Sequence, residues 1–118
     1  MNIVISGIHL QQFPELEDYA RKKVSKLGKF HPKIGEIRVR LISQKSHREK
    51  TQDYDCQIEI DIPGKNLSII DTEESMEKAI DKAVERMKRL LVKSKEKRTT
   101  LRHRIAALAK LKNRFFGS

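Results

Sequence analysis

Hydrophobic and polar positions along this chain follow two periods, and the places where one period gives way to the other predict the elements. Ile3, Val4 and Ile5 form a β-branched start that ends at Ser6-Gly7, the pattern of a short strand over 2–6. Pro14 suits the first turn of a helix, and Leu16, Ala20, Val24 and Leu27 recur at helical spacing until Gly28 provides a stop. Gln12 and Phe13 precede that proline, so the N-cap is weak. Over 36–42, Ile37, Val39 and Leu41 alternate with Arg38 and Arg40, a half-buried strand, whereas 43–52 is polar throughout and reads as a long loop. The cleanest alternation sets Tyr54, Cys56, Ile58, Ile60 and Ile62 against Asp55, Gln57, Glu59 and Asp61. Pro63-Gly64-Lys65-Asn66 then turns the chain into a strand over 67–70, making a hairpin.

Asp71-Thr72-Glu73-Glu74 has the form of a capping box, with Asp71 as the cap of a second helix. Met76, Ile80, Ala83, Val84, Met87, Leu90 and Leu91 supply its apolar stripe. Thr99-Thr100 marks a break, after which Leu101, Ile105, Leu108, Leu111 and Phe115 fit a third, basic amphipathic helix. The order is β-α-β-β-β-α, an α+β fold with a four-stranded, mainly antiparallel sheet and two helices packed on one face. Residues 1–98 form this domain and 99–118 a basic C-terminal extension. Ile58, Ile60, Ile80, Val84 and Met87 are expected to be buried together.

Charge changes the picture from fold to partner. The 118 residues carry 26 Lys and Arg against 16 Asp and Glu, a net charge of +10. That excess is not spread evenly: residues 86–118 hold 12 basic residues and a single acid, Glu96, while the rest is close to neutral. On the second helix Lys82, Arg86, Arg89, Lys93 and Lys97 step by three or four residues along one face, about 22 Å at 1.5 Å per residue, long enough to follow several phosphates. A solvated helix face is the ordinary reading of a charge run; the local imbalance favours polyanion binding.

Other chemistries lack their residues. His9, His31, His47 and His103 are dispersed and Cys56 stands alone, so no metal-ligand spacing arises and the cysteine reads as a buried free thiol. The five glycines occur singly, without a phosphate-binding loop, and no cofactor is expected. Asp55, Glu59 and Asp61 resemble paired acid-base carboxylates but follow from strand alternation and read as a solvated face. No catalytic residue is therefore assigned. There is no signal-peptide pattern and no apolar run long enough to span a bilayer, so a cytoplasmic protein without membrane contact is expected.

Over residues 1–98 the chain resembles the short form of the ribosome hibernation promoting factor and ribosome-associated inhibitor family. The resemblance is carried by Asn2-Ile3-Val4-Ile5-Ser6-Gly7, Ser25-Lys26-Leu27, Ile60-Asp61-Ile62-Pro63-Gly64-Lys65, Met76-Glu77-Lys78-Ala79-Ile80-Asp81 and Glu85-Arg86-Met87-Lys88-Arg89-Leu90. It implies two parallel helices on one sheet face and a non-enzymatic stress-response factor. Such a factor occupies the decoding region of the small ribosomal subunit, where mRNA and tRNA bind. Its partners would be the subunit rRNA and adjacent ribosomal proteins, with the protein a monomer off the ribosome. Carried over by position, the resemblance implies rRNA contact for Lys23, Lys26, Lys45, Arg86, Arg89, Lys93 and Lys97. The family often has Tyr where Glu77 stands and a Thr-like cap where Phe13 stands. Long members add a dimerisation domain and one short type an acidic tail; residues 99–118 match neither. The alternative is a general double-stranded RNA or DNA binding module; a small enzyme or a protein for an acidic partner would need a cleft or an apolar patch.

Overall fold

The computed structural model describes the backbone of residues 2–45 and 52–116 and the side chains of residues 2–44 and 52–97. Strand β1 (Asn2–Ile8) leads into helix α1 (Phe13–Ser25), which tightens into a 3₁₀ turn (Lys26–Phe30). Strands β2 (Glu36–Lys45), β3 (Gln52–Ile62) and β4 (Lys65–Glu73) precede helix α2 (Met76–Phe116). The sheet order is β1-β2-β3-β4. Ile5 lies opposite Val39 in a parallel pair, while Val39 faces Ile58 and Ile58 faces Ile69 in antiparallel ones. The sheet is thus antiparallel except at its β1 edge, where the parallel pairing demands the α1 crossover.

One face of the sheet carries the core. Ile37, Val39, Leu41, Cys56, Ile58 and Ile60 meet Ala20, Val24 and Leu27 from the α1 side and Met76, Ile80, Ala83, Met87 and Leu91 from α2, all buried. Tyr19 touches Asp81, and further along Phe30 meets Lys88, so the two helices run parallel. Of the residues expected to be buried together, Val84 alone is only half-buried, because it borders the gap between the helices.

Several element boundaries differ from those read in the sequence. Gly7 does not end β1; a Cβ there would collide with the Phe13 ring, so the glycine admits the aromatic against the strand. Gly28 does not stop the first helix either, since the 3₁₀ turn runs through it to set Leu27 in the core. The supposed loop over 43–52 is partly strand: Ser43 pairs with Tyr54 and Lys45 with Gln52. Asp71 caps nothing. Strand β4 continues to Glu73, opposite Tyr54, and leaves Asp71 buried within the sheet. Ser75 takes the capping role, its Oγ accepting the Lys78 N–H at 3.3 Å. No break occurs at Thr99-Thr100, because two β-branched residues cost only some tenths of a kcal/mol each in a helix. The expected third helix is the continuation of α2, whose 41 residues extend roughly 60 Å.

Candidate nucleic-acid interface

Lys82, Arg86, Arg89, Lys93 and Lys97 lie along one flank of α2, but they are not equivalent. Lys82 donates to Glu73 at 3.1 Å, and Arg86 donates to Asp71 at 2.6 Å and to the Ile70 carbonyl at 3.3 Å. These bonds fix one flank of α2 over β4. Lys93 and Lys97 follow Arg86 at near-whole turns of the helix and share that flank, and Arg89 sits beside it with Glu85 at 3.8 Å. Lys93 and Lys97 are exposed, without an acidic partner among the described residues.

Lys23 and Lys26 belong to a different place. They border a groove of about 330 Å³ between the end of α1, its 3₁₀ turn and α2, together with Lys29, Phe30, Val84 and Lys88 and with two acids, Asp81 and Glu85, on the α2 wall. The Lys88 ammonium stands 5.1 Å from the Phe30 ring centre and that of Lys23 5.5 Å from Tyr19. Lys88 lies about 160° round α2 from Arg86, so the groove and the β4 flank are opposite sides of one helix. Lys23 also approaches Asp81 at 3.7 Å, whereas Lys26 and Lys29 are exposed with no acidic partner among the described residues. The Tyr19 hydroxyl donates to Asp81 at 2.7 Å, and this bond pushes its pKa up to about 12, keeping the proton in place. The side chain of Lys45 lies outside the described residues.

Sequence reading missed Lys29, Phe30 and Lys88. A charge run marks one helix face, whereas the groove is assembled from two elements; its signal in the sequence is a lysine-phenylalanine pair immediately after Gly28. Cations set around apolar and aromatic walls suit a ligand with a charged backbone and flat bases.

The acids of the opposite sheet face are tied down. Arg38 bridges Asp61 at 2.8 Å and Glu59 at 3.2 Å, which with Asn66 lowers the Asp61 pKa to about 2. Asp55, expected to be solvated, is buried and accepts from Thr72 at 2.7 Å and Gln44 at 2.9 Å, because the longer strands place Thr72 directly opposite it and Gln44 diagonally, opposite Asp53. Among the described residues no group of three His, Cys, Asp or Glu could hold a metal, and no helix is long and apolar enough to cross a membrane.

Two solved structures share the fold. A ribosomal subunit interface protein from Coxiella burnetii is 19% identical with a TM-score of 0.69, covering 81% of this chain and 99% of its own. The N-terminal domain of Protein Y from Thermus thermophilus is 23% identical with a TM-score of 0.60, covering 79% and 98%. No curated protein matches the chain by sequence. The family profile described as sigma 54 modulation protein / S30EA ribosomal protein matches residues 3–99, and the chain belongs to that family.

Proposed function

We propose that this protein binds the small ribosomal subunit in its decoding region and silences idle ribosomes without catalysis, as a monomer that contacts rRNA and the adjacent ribosomal proteins. The observation that carries the reading is the lysine groove between α1 and α2 on a chain of the S30EA family. The solved structures of like fold include one named as a ribosomal subunit interface protein, which supports the same partner. Lys23, Lys26, Lys29 and Lys88 grip phosphates on one side of α2, and Arg89, Lys93 and Lys97 do so on the other. Lys82 and Arg86 lend charge while holding α2 to β4. Residues 1–98 choose the site, and the basic 99–118 extension adds phosphate contacts that carry no sequence information.

Cosedimentation with small subunits, with duplex RNA as competitor, tests the reading. Lys26→Glu with Lys29→Glu, and separately Arg89→Glu with Lys93→Glu, are expected to weaken binding and flatten its dependence on salt, since each lost phosphate contact removes about 0.7–0.9 from the slope of log affinity against log salt. Truncation after Arg98 should lower affinity and slope while leaving the binding site unchanged. Equal capture by duplex RNA and by the subunit would instead establish the general RNA-binding alternative.

A further inference from the structure

The β2 and β3 strands run further than the helix layer that covers them. At Leu41 and Cys56 the inward face is buried core, but one step on, at Ser43 and Tyr54, and again at Gln52, it turns polar. These positions face the start of α1 across a cleft of about 430 Å³. That volume falls within the range of small-molecule clefts, about 300–1,000 Å³.

The lining is unusual for this chain. More than a third of its residues are charged, 36%, yet among the described residues no Asp, Glu, Lys or Arg borders the cleft. Leu10 and Leu16 give it apolar walls, and Gln11, Gln12, Tyr54 and His9 bring amide, hydroxyl and imidazole groups to it. Those four side chains have no hydrogen-bond partner among the described residues, so their bonding capacity is open to a ligand. Gln52 is engaged, donating to the Ser43 hydroxyl at 2.6 Å, and fixes the far wall. His9 reaches the rim through a left-handed backbone, φ 59°, the sole non-glycine with positive φ among the described residues.

We propose that this cleft receives a single unstacked nucleobase. A lining with no carboxylate, ammonium or guanidinium among the described residues, with apolar walls and several free donors and acceptors, matches a neutral planar heterocycle, whose faces are apolar and whose edges both donate and accept. A phosphate or carboxylate would find no cation among these lining residues. Helix α1 begins at the cleft and reaches the lysine groove at Lys23, so the two lie about 15 Å apart along one helix, within reach of one short RNA segment. The choice of a base over another heterocycle rests on the RNA-binding reading above; the cleft and the free polar groups that line it do not.

The full chain is titrated with a labelled single-stranded RNA of mixed sequence and with an abasic ribose-phosphate strand of equal length and charge. Wild type should prefer the base-bearing strand by roughly tenfold, the worth of two neutral hydrogen bonds. Gln11→Ala with Gln12→Ala, at exposed positions where Gln12 makes no side-chain cap bond, should erase that preference and leave the salt slope intact. Lys26→Glu with Lys29→Glu should weaken both strands and change the slope, so the failure of the lysine groove and the failure of the cleft have different signatures. A preference that survives in the glutamine variant overturns the inference. So does loss of subunit binding by that variant with its base preference kept, for then a ribosomal protein side chain fills the cleft. Amide NMR titration with the four free nucleosides gives a readout independent of RNA affinity: shifts centred on His9–Gln12 and Tyr54 are expected, and their absence refutes the proposal.

Discussion

Replacing Arg86 with alanine separates a structural cation from an RNA contact. Asp71 is 5% exposed; its Oδ1 accepts from Arg86 and its Oδ2 has no partner among the described residues. Without the guanidinium neither oxygen keeps a side-chain donor. Removing one partner of a fully buried pair costs about 3–5 kcal/mol, but the Arg86 side chain is 48% exposed and water relieves part of the loss. An orphaned buried acceptor costs about 1–3 kcal/mol, and a value of about 2 kcal/mol follows. For a domain of this size that lowers Tm by roughly 10 °C. The assay is thermal and urea unfolding of Arg86→Ala, Asp71→Asn and the double variant. Because the neutral amide introduced by Asp71→Asn leaves no stranded charge, Arg86→Ala should cost at least about 1 kcal/mol less in that background. Equal costs in both backgrounds would refute the pairing. A binding defect in any variant that reverses Arg86 must therefore be read beside its stability, and the groove lysines give the cleaner test.

Asp61 is ionised in the folded protein down to about pH 2 because Arg38 and Asn66 bond its carboxylate. A depressed folded value means stability that is present above the ordinary carboxylate pKa and lost as pH falls from about 4 to 2, so Asp61→Asn should flatten the acid limb of a stability-pH curve in that window. Burial pushes the Cys56 thiol up to about 12, so its ionisation in the unfolded chain should draw down stability as pH rises above about 9, a loss absent in Cys56→Ala. The native thiol should also resist alkylation at pH 8 and react only when unfolding is induced.

The alternation of Tyr54 to Ile62 assigned that strand's faces correctly, since one apolar set had to be buried and a shift by one residue would have exposed it. Ends were harder to read. The extension of β4 through Asp71 depends on pairing with Tyr54–Cys56 in another strand, which no local window contains. Asp71 looked like a cap because Asp before a helical run usually is one; its burial beside Arg86 is a tertiary fact. The same holds for the site. Lys82 and Arg86 share a sequence period with Lys93 and Lys97, and only the fold separates those held by carboxylates from those left to solvent. The lysine groove and the cleft at the start of α1 each draw on two or more elements, so neither leaves a motif in the chain.

The single parallel pair also imposes an order of assembly. Strands β2, β3 and β4 follow one another in the chain and can zip locally, but Asn2 must find Glu36, 34 residues away, after α1 has formed between them. At its free edge β1 accepts, among the described residues, one side-chain hydrogen bond, from Arg21 to the Ile3 carbonyl at 3.3 Å, and otherwise rests on the packing of Ile3, Ile5 and Phe13. Strand β1 is thus expected to join last and leave first, and its amides should exchange with solvent through a partial opening that leaves the other three strands closed.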